Sequence, residues 1–423
     1  MSIIKNSIWN LIGYVIPSLI AIPALGYMAR KLGPELFGIY TIAIAVVGYA
    51  GIFDMGLTRA ITREIAIYRT NWDERKKIVA SATLFLLTLS ILGGFIVLIF
   101  SSSIVHFLNI SATDFSDINN SFKLLAFSIP LFLLNQLWIA ILEGDEKFKV
   151  VNIQKSFSST FIAGMPALFV IYNGTLLSAV AGLVVSRIIS LLIAFVLVRK
   201  EIMQSGMQPD VKTLKRLIFF GGWITVSNII SPAMVYFDRF IISNMLGAKH
   251  VAFYSGPSEA ISRLAIFPAA VGRAIFPKLS SVKHRDELKK SITLSWLLMF
   301  AVCAPVVIIG IVFSENILNL WLGANYALHS KNILIILLVG FLFNALAQVP
   351  FAAIQSAGKA KITALLHCVE IIPYFIMLYF FVQHYGLTGV AFAWSIRVIA
   401  DCAILTFINQ RLLNRQVSVV EPT

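Results

Sequence analysis

Long apolar runs bounded by polar or charged turns dominate the chain, and the first of them sets the plan. Asn6 to Ala29 carries no charge and, at about 1.5 Å per residue, is long enough to cross about 30 Å of hydrocarbon. Pro17 and Pro23 interrupt its hydrogen-bond ladder, which a spanning helix tolerates where protein or water receives the freed carbonyls. A short loop, Arg30 to Glu35, leads into a second span from Phe37 to about Asp54. The same pattern predicts spans over Ile78 to Phe100, Ser121 to Leu142, a fifth ending at Tyr172, and Leu176 to Val198. After a polar stretch it predicts Leu217 to Ser243, Val251 to Phe276, Ile292 to Phe313, Ile333 to Ile354, Ile362 to Val382 and Leu387 to Phe407. The eighth of these is weakened as a hydrophobic segment by Glu259 and Arg263.

An offset of 214 residues carries Gly33, Tyr40 and Arg59 onto Gly247, Tyr254 and Arg273, and Gly144 and Lys147 onto Gly358 and Lys361. One offset held over more than a hundred residues points to a duplication, which keeps the eighth span in the plan. The expected fold is an all-α integral membrane protein of twelve transmembrane helices. It comprises two six-helix lobes, 1–200 and 217–423, joined by a linker at 201–216. Halves of six spans are parallel repeats related by an axis along the membrane normal.

Charge gives the orientation. The segment from Arg59 to Lys77 holds six Lys or Arg against three acids, whereas Ser101 to Asn120 has Asp114 and Asp117 as its only charges. Basic loops stay inside, so both termini are expected on the cytoplasmic side. Charged residues are 13% of the chain and hydrophobic residues 58%, and the mean hydropathy is +0.86. A soluble domain carries about 25% charged residues, so one water-soluble core does not fit. The net charge of +14 follows from loop orientation and does not call for nucleic acid. Lys5 and the first apolar run lack a small-residue cleavage signature and are expected to be a span, not a removed signal peptide. Cys303, Cys368 and Cys402 lie in apolar segments without metal-ligand spacing.

Charges inside spans are the candidates for function, because an ionised group in hydrocarbon faces protein or water. Arg187 lies on span six, Glu259 and Arg263 on span eight, Glu370 on span eleven, and Arg397 with Asp401 on span twelve. Asp54 stands at the inner end of span two. Glu259 with Arg263, and Arg397 with Asp401, have i,i+4 spacing and can meet on one helical face. Two readings stand for these pairs: mutual neutralisation that pins helices, or an Arg-lined chamber for an anion with an acid relaying protons or sodium. Glu370, without a basic neighbour one turn away, is the leading coupling acid, with Glu259, Asp401 and Asp54 behind it. Arg59, Arg63 and Arg273 sit at the cytoplasmic surface, where they serve as anchors or as a rim that grips a phosphate. Asp238 and Arg239, near the outer end of span seven, are gate candidates. The chain has no Gly-rich phosphate loop, no His metal cluster and no large polar loop, so neither an enzyme nor a cofactor or metal is expected.

The order of several motifs resembles the O-antigen type of polysaccharide transport and oligosaccharide flippase family, within the multidrug, oligosaccharidyl-lipid and polysaccharide exporter superfamily. These motifs are Asn6 to Asn10, Lys31-Leu-Gly-Pro-Glu-Leu-Phe-Gly-Ile-Tyr40, Asp54-Met-Gly-Leu57 with Arg59, Asp238 before Met245-Leu-Gly247, Tyr254, and Phe276-Pro277. The resemblance implies movement of an undecaprenyl-pyrophosphate-linked oligosaccharide across a bacterial cytoplasmic membrane by ion antiport. It also implies two rocking lobes, with span one at Pro17 and span seven at Pro232 as bending helices. Membrane lipids, and the polymerase and chain-length machinery of polysaccharide assembly, are the partners it implies. A drug-cation exporter of the same superfamily and a lipid-binding scaffold are the competing classes.

Overall fold

The computed structural model describes residues 3–110, 115–206, 208–281 and 285–415; some side chains within these ranges, including 3–16, 222–233 and that of Arg273, lie outside the description. Fifteen α-helices follow one another among the described residues. They are α1 (Ile3–Tyr49), α2 (Leu57–Ile67), α3 (Trp72–Ile99), α4 (Ser101–Phe107), α5 (Phe115–Ala126), α6 (Ser128–Gly144), α7 (Phe148–Tyr172) and α8 (Leu176–Gln204). Then come α9 (Val211–Leu246), α10 (Ala248–Leu264), α11 (Ile266–Ser281), α12 (Arg285–Val312), α13 (Ser314–Trp321), α14 (Ala324–Ser356) and α15 (Ala360–Arg415). The contacts group the chain into two compact units, Met1–Ala252 and Phe253–Thr423.

Seven stretches among the described residues are long and apolar enough to cross a membrane. Two of them, the 38-residue Pro17–Asp54 and the 54-residue Lys361–Asn414, are long enough for two crossings of ~20 residues each. Each contains a backbone break, at Gly33 (φ 74°) and at Gly386 (φ 57°). Large apolar side chains such as Leu92, Phe95, Ile99, Leu297 and Phe300 are exposed, as lipid-facing positions require.

The breaks have local causes, and several correct the loop assignments. Residues 30–35 are helical, and the turn shrinks to Gly33, whose positive φ suits glycine and precedes Pro34. Span eight divides into α10 and α11 because the Pro268 ring opposes the Leu264 carbonyl, where α10 ends. Span four divides at Phe127 in the same way, with Pro130 four residues beyond Ala126. The expected loop 101–120 contains α4 and the start of α5. The central linker is short, 205–210, with α9 capped by Asp210, which accepts from Thr213 N at 2.8 Å. Pro17 and Pro23 leave α1 helical, and the Pro232 side chain lies outside the described residues.

The repeat is visible in the backbone. Positive φ at Gly33 and Asn109 recurs 214 residues on at Gly247 and Gly323, and Tyr40 and Tyr254 are both buried. The short α4 after Phe100 has its counterpart in α13 after Phe313.

The expected basic linker after Asp54 is mostly helix. In α2, Leu57, Ile61 and Ile65 form an apolar stripe that packs with Ile78 and Leu86 of α3 and Leu133, Leu137 and Ile141 of α6. Gly144 permits this, since a Cβ there would meet Thr62 and Ile65 at 2.8 Å. At the other end of α2, a Cβ on Gly56 would overlap the Gly221 carbonyl, so α9 approaches the start of α2 backbone to backbone.

Ion pairs secure the charged edge of this unit. Arg75 and Asp145, nearly buried, pair at 2.7 Å, and Lys147 reaches the other Asp145 oxygen at 3.0 Å. Arg216 joins Glu64 at 2.8 Å and Glu74 at 3.3 Å. Burial raises the Asp145 pKa, but the Arg75 hydrogen bond and Lys147 outweigh it and hold the carboxyl below its usual range. Because the folded-state value lies below the unfolded one, the pair's contribution is complete above the ordinary carboxylate range and disappears as pH falls through the lowered value. Arg75→Ala is expected to cost about 1.5–3 kcal/mol by leaving the Asp145 carboxylate with Lys147 as its remaining cation. Thermal unfolding in detergent should show that loss at neutral pH and a smaller one in acid; equal losses at both would remove the pair as the cause.

Candidate functional site

In the second unit, α15 builds a polar cluster from its two arms. His367, Glu370 and Tyr374 follow one another at three- and four-residue steps and share one face, while Ile372, Ile376 and Phe380 are exposed on another. His367 Nδ1 is 3.6 Å from Glu370 Oε2. Asp401, beyond the Gly386 break, joins them, and one ligand atom from each of His367, Glu370 and Asp401 lies within 4.8 Å of the others. Asp401 is 8% exposed. Its Oδ1 and both Glu370 oxygens accept no hydrogen bond among the described residues. Arg397, one turn before Asp401, places its guanidinium 5.2 Å from the centre of the Tyr374 ring.

Three of the residues expected from the sequence therefore come together: Glu370, Arg397 and Asp401. Arg397 makes no ion pair with Asp401 within 4.0 Å among the described residues, so the i,i+4 pairing is not the one adopted. The expectation that Glu370 lacks a basic neighbour is corrected by His367, three residues earlier. The i,i+3 spacing was available in the sequence, but an uncharged imidazole does not register in a search for Lys and Arg. Glu259 and Arg263 of α10 do face each other, loosely, at 4.0 Å.

In the first unit, Arg187 of α8 lies 4.5 Å from the ring centre of Phe132 on α6. It forms no ion pair among the described residues, and its buried Nε donates no hydrogen bond. A cation–π contact holds a guanidinium with its donors still available, which suits an anion receptor. Beside this, Gln154 Nε2 donates to Asn135 Oδ1 at 3.1 Å and to Ser158 Oγ at 2.8 Å, linking α6 and α7 through a buried amide that sequence reading missed.

The remaining candidates are placed as follows. Arg59 is exposed, and Arg63 is bound to Glu64 at 2.8 Å with its guanidinium 4.6 Å from the centre of the Phe220 ring. The Arg273 side chain lies outside the described residues. Asp238 and Arg239 are buried at 4% and 3% exposure, and Arg239 Nη1 donates to the Thr41 carbonyl of α1 at 3.3 Å. Asp54 accepts from Thr58 N at 3.1 Å and from Thr58 Oγ1 at 2.6 Å, so its carboxylate satisfies the first turn of α2.

The family described as "Polysaccharide biosynthesis protein" matches residues 3–283, and the MatE family matches 224–381. The chain is a multi-pass helical membrane protein and belongs to the polysaccharide biosynthesis protein family, within the superfamily its motifs resemble. It is 60% identical over 412 residues to a putative O-antigen transporter of Shigella flexneri, covering 97% of this chain and 99% of that one. Its fold is similar to that of lipid II flippase MurJ in an inward closed conformation, with a TM-score of 0.78 at 15% identity over 99% of this chain and 94% of the other. A multidrug resistance MATE family transporter in an inward-facing conformation gives 0.77 at 16% identity, covering 98% of this chain and 100% of that one.

The Asp54 geometry makes a stability prediction. Asp54→Ala should lower the thermal unfolding midpoint, at a cost of about 1–2 kcal/mol, whereas Asp54→Asn should keep most of the stability because its amide oxygen still accepts from Thr58. Equal midpoints for wild type and Asp54→Ala would show that the cap contributes nothing.

Proposed function

We propose that this protein is a flippase that carries an undecaprenyl-pyrophosphate-linked oligosaccharide repeat unit from the cytoplasmic to the periplasmic leaflet of a bacterial inner membrane, for O-antigen or a related surface polysaccharide. The observation that carries this reading is the 60% identity to the putative O-antigen transporter across nearly the whole of both chains. The fold, shared with a lipid II flippase and almost equally with a multidrug transporter, is compatible with this reading and does not select the substrate. In this reading the chain crosses the membrane twelve times in two six-helix lobes, with both termini cytoplasmic, and alternating access moves the head group while the lipid tail stays in the bilayer.

Arg187 is the principal anion contact, because stacking on Phe132 holds its charge without a protein carboxylate to neutralise it. Arg263 and Arg397 are secondary contacts, and Arg59, Arg63 and Arg273 form the entry rim. Glu370 and Asp401 are the coupling acids for a proton or sodium gradient, since carboxylate oxygens without a hydrogen-bond donor, both on Glu370 and Oδ1 on Asp401, gain most from taking up a cation. Glu259 serves its Arg263 partner, and Asp54 its helix cap. Arg239, bonded to Thr41, gates by releasing α9 from α1, with Asp238 beside it. Polymerase and chain-length proteins of the assembly pathway are its expected partners. A drug-cation exporter of this superfamily would bind a positively charged substrate, and Arg187 opposes that.

Purified protein in vesicles, with a fluorescent undecaprenyl-pyrophosphate oligosaccharide in one leaflet, provides the test. Arg187→Ala should slow transfer at least about tenfold, the equivalent of losing one charge-assisted hydrogen bond, and Arg187→Lys should recover part of it. Glu370→Gln should abolish the response to an imposed ion gradient. Wild-type protein that folds correctly but never moves a cognate glycolipid would overturn the flippase reading.

A further inference from the structure

The His367, Glu370 and Asp401 cluster combines three features that a buried ion pair does not need. It has two carboxylates and an imidazole within 4.8 Å of one another. The deepest member, Asp401, is 8% exposed, with Oδ1 accepting no hydrogen bond, and neither Glu370 oxygen accepts one. The sole guanidinium near them among the described residues, that of Arg397, lies over Tyr374 and makes no ion pair with Asp401 within 4.0 Å. With the imidazole neutral, the form that ligates a metal, two carboxylates face one guanidinium and a negative charge is left over, which is costly in a buried position unless a cation completes it.

The imidazole narrows which cation. Sodium, magnesium and calcium take oxygen ligands, whereas a ring nitrogen with carboxylate oxygens suits zinc, cobalt or nickel. We infer that His367, Glu370 and Asp401 form a binding site for a divalent transition cation of the zinc class, with one nitrogen and two oxygen ligands. Ligand bonds of about 2.0–2.2 Å require the three side chains to draw inward from their present spacing. A fourth position remains for water or an incoming group. The cation would tie together the two arms of α15, since His367 and Glu370 precede the Gly386 break and Asp401 follows it. Such a tie restrains any hinge at Gly386, so zinc-class ions are expected to inhibit movement of this helix.

The site is testable without any transport assay, so it stands or falls apart from the flippase reading. Full-length protein, purified in detergent through a tag free of histidine and stripped with chelator, is titrated with Co2+ and followed by ligand-field absorption and calorimetry. The expected result is one Co2+ per chain, displaced by Zn2+ but not by equal Na+ or Mg2+. Affinity should fall at least tenfold in His367→Gln and in Asp401→Asn and be unchanged in His384→Gln, an exposed histidine on the same helix. Each variant is first shown to elute as wild type with an intact unfolding transition. No Co2+ uptake by wild type, uptake that survives both ligand substitutions, or displacement by equal Na+ would overturn the assignment.

Discussion

A helix in hydrocarbon has no solvent to receive its backbone, so every carbonyl and amide must be satisfied within the helix or against protein. That constraint explains why the bends are confined to single residues. Gly33 and Gly386 interrupt α1 and α15 through positive φ, and proline rings end α5 and α10 four residues upstream of themselves. The polar edge obeys the same rule by other means: Asp210 and Asp54 supply side-chain oxygens to the first turns of α9 and α2. Where α9 meets the start of α2, Gly56 and Gly221 remove side chains altogether so the backbones can approach. Helices can then meet closely at one end and be held by ion pairs at the charged edge.

Charge is subject to the same accounting. Most carboxylates of the first unit are consumed by structure: Asp145 by Arg75 and Lys147, and Glu64 by Arg63 and Arg216. Arg187 is the exception there, with an aromatic ring beneath it and no acid partner among the described residues. In the second unit the imbalance has the opposite sign, with both Glu370 oxygens and Asp401 Oδ1 accepting no hydrogen bond among the described residues. An unpaired group in a low-dielectric setting loses stability that a pair would retain, so such groups mark where a ligand or ion can supply differential binding.

Hydrophobic periodicity reveals helices well in such a chain, and the 214-residue offset was readable because glycine is favoured where φ is positive. Gly33 and Gly247 are conspicuous for that reason. The content of the loops was less legible. The segment after Asp54 carries many basic residues, which signal orientation, yet Leu57, Ile61 and Ile65 form a buried stripe within it. Net charge masked a helical period of modest length. The site was readable as far as formal charge allowed: Glu370, Arg397 and Asp401 were found, and His367 was passed over. Whether Arg397 would choose Asp401 or the Tyr374 face depends on rotamers and tertiary packing, which i,i+4 spacing does not encode.

That choice by Arg397 has consequences for the whole of α15. Paired with Asp401, it would close a neutral, inert couple on one arm of the helix, leaving no surplus charge there for a cation to share with Glu370 on the other arm. Turned onto the buried Tyr374 ring, it forms no ion pair with Asp401 within 4.0 Å. The two carboxylates then sit together across the Gly386 break, an arrangement that is unfavourable until a cation arrives. Two arms whose mutual attraction depends on an ion, joined by a glycine that can change φ at little cost, have the minimum physical parts of a two-state element.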